Sequence, residues 1–319
     1  MSDRAANRDE QTRRLVETMR RQLGERICDR MTDPNVVEIM LNADGGIWED
    51  RLGCGMTRIG EMLPQTAEAL IATVASTLRA TVTRDNPIIE CELPLDGSRF
   101  EAMIPPIVSG PVFTIRRKAS QVFTFDDYVR TGIMSPGQRD ALEHAVSERR
   151  NILICGGTTS GKTTLTNAVI HQIVAVHPHH RLVIIEDTAE LQCAAPNYVQ
   201  LRATDTVDMR RLLKGTMRLR PDRIIVGEVR GGEALDMLKA WNTGHPGGCC
   251  TVHANSAQAA VIRIEQLIQE VSQNPMRRLI AEAVDLVVSI TMTPNGRRVQ
   301  EVLSVDFDGN DYVFPNRSA

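Results

Sequence analysis

The sequence predicts an α/β fold in two parts: a carboxyl-terminal domain on a parallel sheet, preceded by a smaller α+β amino-terminal domain. Three observations carry this reading. The apolar runs "NILIC" (151–155), "RLVIIED" (181–187) and "DRIIVGE" (222–228) lack polar alternation, as strands covered on both faces do. Stretches of helical periodicity separate them, which is the crossover that parallel strands require. The glycine-rich segment "GGTTSGKTT" (156–164) follows the first run and opens the first of those helices. A chain of 319 residues is long for one core and comfortable for two.

Taken in order, residues 9–31 read as an amphipathic helix. Leu15, Met19, Leu23, Ile27 and Met31 recur every four residues, with Arg13, Arg20, Arg21 and Arg30 between them. Packing on its own domain or a neighbour is the plain reading of that stripe. A helix lying on a membrane surface is the alternative, weakened by Glu10, Glu17, Glu25 and Asp29. "VVEIMLNADGGIWEDRLG" (36–53) has two apolar runs around an Ala-Asp-Gly-Gly turn and predicts a hairpin. Leu70, Ile71, Val74 and Leu78 share one face of a helix over 66–82. Strands follow over 88–107, around Asp96-Gly97, and over 111–118. The amino-terminal domain is therefore expected over 1–118, with residues 119–136 as a linker. A helix over 137–149 opens the carboxyl-terminal domain, 137–319. Its last element is a pair of strands within 285–307, around Asn295-Gly296.

Composition narrows the function. The net charge of -3 and the lack of interleaved basic and aromatic residues argue against direct, sequence-specific nucleic-acid binding. No apolar run approaches the roughly 20 residues needed to span a bilayer, so any membrane contact is expected to be peripheral. Residues 1–14 show no apolar signal core. The seven cysteines are odd in number and contain no Cys-x-x-Cys pair. Reduced thiols and a cytoplasmic chain are the expectation.

"GGTTSGKTT" fits G-x-x-x-x-G-K-[ST] in the strand-then-helix setting that gives this motif its meaning. Gly156, Gly157, Thr158, Thr159, Ser160 and Gly161 would wrap phosphates with backbone N–H groups. The helix amino terminus adds its positive dipole end. Lys162 would neutralise the outer phosphates, Thr163 would ligate Mg²⁺, and Thr164 continues the first turn. No base-reading N-K-x-D is present, so ATP rather than GTP is expected. Two acidic sites end the next two apolar runs, Glu186–Asp187 and Glu228. Ligands of open α/β sheets bind at the carboxyl ends of strands. Glu228 is placed to activate the attacking water. Gly227 stands where the usual metal-binding Asp would precede it, which points to Glu186 or Asp187 for Mg²⁺, directly or through water.

"GGTTSGKTT", "VIIEDTAEL", "RLRPDRIIVGEVRGGEA" and "TGHPGGCCTVHANS" stand in the order of the Walker A, Asp-box, Walker B and His-box motifs. Together they resemble the type II/IV secretion ATPase superfamily. "LPLDGSRFEAMIPPIVSGPVFTIRRK" is similar to its type IV secretion branch, in particular the conjugal-transfer ATPases. The resemblance implies a RecA-like P-loop ATPase domain and a homo-hexameric ring with ATP held between the two domains of each subunit. It further implies partners among the inner-membrane components of a secretion apparatus, with the motor at the cytoplasmic face. Arg99 and Arg116 match arginines that contact nucleotide phosphates; Arg117 is an alternative to Arg116. Arg218, Arg220 and Arg230 flank Glu228, and the sequence leaves open which of them reaches a neighbouring subunit and which holds a salt bridge. Pilus assembly or retraction motors of the same superfamily are the nearest alternative. A hexameric nucleic-acid motor and a nucleotide-binding regulator without turnover fit less well.

His245 and His253 flank the adjacent Cys249 and Cys250. Zinc needs about four ligands in a tetrahedron, and adjacent cysteines rarely aim both thiolates at one metal. The resemblance instead makes His245 and His253 the two His-box histidines. Gly244, Gly247 and Gly248 would then let this loop approach the phosphates, the imidazoles would sense the γ-phosphate, and the cysteines would pack as small apolar residues.

Overall fold

Amphipathic periodicity shapes the first element. α1 (Ser2–Thr32) is interrupted at Gly24, whose φ of 77° lies outside the helical region. The stripe survives the break, since Met19, Leu23, Ile27 and Met31 are all buried. The computed structural model describes residues 2–51, 54–78, 80–117, 122–204 and 206–315. It divides into two compact units, Met1–Ser120 and Gln121–Ala319.

In the first unit α1 is followed by β1 (Val36–Leu41), β2 (Gly46–Arg51), β3 (Gly55–Glu61), α2 (Pro64–Thr77), β4 (Ile88–Glu92), β5 (Arg99–Met103) and β6 (Val112–Arg116). The strands form an antiparallel sheet in the order β3-β2-β1-β6-β5-β4. The buried face of α1 joins Leu70, Ile71 and Val74 of α2 against Ile39, Phe100, Phe113 and Ile115 of the sheet. The face that suggested a membrane-surface helix is thus taken up by the unit's own core. β3 is a strand that the sequence pattern did not separate, and its burial pattern explains why: its first four residues are exposed on both faces.

The second unit starts earlier than its expected boundary at 137. α3 (Phe125–Arg130) carries a capping box between Thr124 and Asp127. Phe125, Tyr128 and Met134 are buried in the core of this unit. Within the expected linker 119–136, residues 122–136 are therefore part of the carboxyl-terminal unit, and 119–121 lie outside the described residues. A helix of six residues shows too few turns for its period to stand out.

The remaining elements are α4 (Pro136–Ser147), β7 (Ile152–Cys155), α5 (Lys162–Val176), β8 (Leu182–Glu186), β9 (Tyr198–Arg202), α6 (Met209–Thr216), β10 (Arg223–Val226), α7 (Glu233–Asn242), β11 (Cys249–Val252), α8 (Ala257–Gln269), α9 (Arg277–Ala283), β12 (Leu286–Thr293), β13 (Gly296–Ser304), β14 (Asp306–Phe307) and β15 (Tyr312–Val313). The large sheet runs β13-β12-β7-β11-β10-β8-β9. All its pairings are parallel except the β12–β13 hairpin. Alternate residues of the central strands point to opposite faces. Ile152, Ile154, Leu182, Ile184, Ile225 and Cys249 pack against α3, α4 and α5. Leu153, Cys155, Val183, Ile185, Val226 and Cys250 pack against α7 and α8. This double coverage is why "NILIC", "RLVIIED" and "DRIIVGE" read as unbroken apolar runs.

Candidate active site

The phosphate loop follows β7 and ends at α5, whose amino terminus is Gly161 with φ 101° and no side-chain cap. Its first N–H groups are left for an anion, the arrangement that suits a phosphate. Two close approaches dictate glycine here. A Cβ on Gly156 would overlap the Ile290 carbonyl oxygen, and one on Gly161 would lie 2.9 Å from Cδ of Arg297. Arg297, on β13, thus lies against the loop, and its Nε is buried without a hydrogen-bond partner among the described residues. The sequence offered no signal for it, because that contact crosses from the far end of the chain.

Lys162 is buried, with Nζ donating to the carbonyls of Gly156 at 3.0 Å and Gly157 at 2.8 Å. The same ammonium is 3.4 Å from Nδ1 of His253. Nε2 of His253 stands 2.8 Å from Oε1 of Glu228. Oε2 of Glu228 accepts from Arg230, at 2.7 Å from Nε and 2.6 Å from Nη2. Nη1 of Arg230 pairs with Asp187 at 2.8 Å. Lys162, His253, Glu228, Arg230 and Asp187 therefore form one connected chain of charge. Asp187, Glu228 and Arg230 also line a cleft of about 380 Å³. Arg230 is committed to this salt-bridge network. Arg218 and Arg220 are exposed on the turn after α6.

Gly227 is glycine because Glu186 fills the space beside it: a Cβ there would be 3.0 Å from Cγ of Glu186. A carboxylate does replace the missing Asp in space, yet Glu186 is only 2% exposed. Its Oε1 accepts from the backbone N–H groups of Glu190 and Leu191, at 2.9 and 2.8 Å. Its Oε2 accepts from Gln200 at 2.6 Å. Burial pushes the Glu186 carboxyl above the usual carboxylate range, and these hydrogen bonds pull it back down. Glu186 thereby braces the turn after β8. That turn presents Glu190, whose Oε2 accepts from Oγ1 of Thr163 at 3.2 Å. Glu190 was missed because its position depends on the Glu186 brace. Asp187 faces Arg230, not Thr163.

The two His-box histidines lie at opposite ends of β11. β11 pairs in parallel with β7, Cys249 against Ile152 and Val252 against Cys155. His253 follows the end of β11 that lies beside the phosphate loop; His245 precedes the other end. Gly247 and Gly248 donate to Oδ1 of Asn151 at 2.8 Å each, and Arg223 holds the Gly247 carbonyl at 3.0 Å. A Cβ on Gly248 would overlap the Trp241 indole. These glycines permit close packing at the amino end of the sheet, the end of β11 away from the phosphate loop. Cys249 and Cys250 point into the cores on opposite faces of the sheet. Burial pushes the Cys249 thiol up to about 12 and raises the Cys250 thiol well above the usual range as well.

In the first unit Arg99 and Arg116 are cross-strand partners on β5 and β6. Like charges opposite one another are unfavourable in a sheet. Glu38, the partner of Arg116 on β1, offsets part of that cost. Arg117 is used differently: its Nη1 donates to the carbonyls of Asp33 and Val36, which ties the α1–β1 turn to the sheet.

The fold and this loop-and-carboxylate site define a RecA-like P-loop nucleotidase. The chain belongs to the type II/IV secretion system protein family, whose model matches residues 21–304. It is 57% identical to a probable conjugal transfer protein TrbB of Sinorhizobium fredii, over 92% of this chain and 90% of that protein. It is 54% identical to the conjugal transfer protein TrbB of Rhizobium radiobacter, over 94% and 93% of the two chains. The type IV secretion system protein PtlH of Bordetella pertussis is 31% identical over 80% of this chain and 85% of its own. Two solved structures share the fold at 18% identity. The Legionella pneumophila ATPase DotB matches with a TM-score of 0.66, over 88% of this chain and 80% of that one. The pilus retraction motor PilT with bound ADP matches with a TM-score of 0.63, over 92% and 83%. Among the described residues no helix is long and apolar enough to cross a membrane.

Proposed function

We propose that this chain is the ATP-hydrolysing subunit of a conjugative type IV secretion apparatus. It would work as a homo-hexamer, with inner-membrane components of the apparatus, from the cytoplasmic face. The observation that carries the enzymatic reading is the link from Lys162 through His253 to Glu228, which puts a carboxylate base beside the phosphate loop. In this reading ATP lays its phosphates on the N–H groups of residues 156–163. Glu228 takes a proton from water as the water oxygen bonds to the γ-phosphorus and the bond to the ADP oxygen breaks. Arg230 holds Oε2 of Glu228 in place.

Thr163 and Glu190 supply a hydroxyl and a carboxylate 3.2 Å apart. That is an oxygen donor set of the kind Mg²⁺ takes alongside phosphates and waters. Mg²⁺, when bound, neutralises charge on the β- and γ-phosphates. Arg99 and Arg116 are proposed, on the resemblance, to contact nucleotide phosphates.

The test pairs hydrolysis with transfer. Purified chain should release phosphate from ATP, and Lys162→Ala should abolish release while melting like the wild type. In cells lacking the chain, the wild type should restore DNA transfer and Lys162→Ala should not. Equal phosphate release by the variant would end the ATPase reading. Hydrolysis with no effect on DNA transfer, but restored pilus movement, would favour the pilus motor, whose solved relative shares the fold.

A further inference from the structure

We infer that His253 serves the hydrolytic step through Glu228, as a positioning residue whose Nε2–H orients the carboxylate while Lys162 holds its Nδ1, instead of reading the γ-phosphate directly. The inference rests on Glu228 being the water-activating group. It follows from the proton inventory of the three side chains. An ammonium has three donors and no acceptor. The Lys162–His253 contact at 3.4 Å therefore requires a lone pair on Nδ1. A neutral imidazole then carries its one proton on Nε2, and Nε2 is the atom 2.8 Å from Oε1 of Glu228. Burial and the neighbouring Lys162 both hold His253 below the usual histidine range, in keeping with a neutral ring.

Oε1 is buried and has no formed hydrogen bond among the described residues, and Nε2 of His253, at 2.8 Å, is a donor within reach to satisfy it. Arg230 grips only Oε2. His253 is thus a proton donor placed to set the direction of the Glu228 carboxylate. The same ring connects the base to the loop. Phosphates that draw Lys162 onto themselves remove the donor at Nδ1. The imidazole's hold on Glu228 then depends on whether nucleotide occupies the loop. His245, at the far end of β11, has no part in this link.

The experiment is a comparison of amide replacements with a double-mutant cycle, on the full chain. The amide of Gln reaches the position of Nε2, whereas that of Asn reaches only Nδ1. His253→Gln is expected to turn over about tenfold or more faster than His253→Asn. Both should keep the wild-type KM for ATP within about threefold, since neither contact reaches substrate. In a Glu228→Gln background, His253→Asn should slow turnover by less than about twofold, because the group it positions is gone. Should the Asn variant not fold, His253→Ala replaces it in the cycle. Equal loss of kcat in the Gln and Asn variants with a shared rise in KM would overturn the inference in favour of direct phosphate sensing. So would the same fold loss from His253→Asn with and without Glu228. A wild-type chain that does not hydrolyse ATP would instead refute the proposed function itself.

Discussion

Gly248→Ala separates two readings of the His-box loop, one in which its glycines serve phosphate approach and one in which they serve packing. The added methyl would overlap the Trp241 indole and lie 2.5 Å from the Ile224 carbonyl oxygen. Neither neighbour yields easily. Trp241 is 2% exposed, and its Nε1 donates to that same carbonyl at 3.1 Å. Overpacking a core costs about 1–3 kcal/mol. Stranding the indole N–H adds about 1–3 kcal/mol. A destabilisation of about 2–6 kcal/mol is a large share of the roughly 5–15 kcal/mol that holds a domain together. At about 2–4 °C per kcal/mol for a unit of this size, the expected fall in Tm is about 4–24 °C. The assay is thermal unfolding of the full chain, followed by titration of a fluorescent ADP analogue at a temperature where the variant is folded. Affinity should match the wild type, since Gly248 sits beside Ile152 at the start of β7 and the phosphate loop follows its end at Cys155. A wild-type Tm with lost nucleotide binding would refute the packing argument.

Other outcomes follow from the same geometry. Glu228→Gln should bind ATP but turn over at least about 10²-fold more slowly, and wild-type turnover would exclude Glu228 as the base. Glu190→Gln should raise the Mg²⁺ concentration needed for half-maximal hydrolysis about 10–100-fold, whereas Glu186→Gln should chiefly lower Tm; the reverse pattern would return the metal to Glu186. With a thiol reagent at neutral pH, exposed Cys54 should react in the native chain. Buried Cys155, Cys249 and Cys250 should react only on unfolding, and early modification of Cys249 or Cys250 would contradict their place in the two cores.

Much of the fold was legible because its signals are local. A strand buried on both faces must be apolar at every position, so β7, β8 and β10 could be read from runs of four or five residues. The phosphate loop was legible because a turn that wraps phosphates leaves few choices of residue. β9 was not, for its outer residues alternate between half-buried and exposed at the sheet edge. α3 was taken for linker because two aromatic anchors and one capping box show no period.

The site divides along the same line. By itself the sequence determined that the glycine-rich segment Gly156 to Thr164 joins a buried strand to a helix, and that Glu228 follows another buried strand. Only the tertiary structure decided which groups meet. It turned Glu186 inward as a brace and Glu190 toward Thr163. It committed Arg230 to Glu228 and Asp187, sent Cys249 and Cys250 to opposite faces, and placed His253 but not His245 beside Lys162. The physical reason is that residue type follows from local demands, such as burial, φ and phosphate charge. A partner is settled by strand direction and register, and these bring together positions as far apart as 162 and 253.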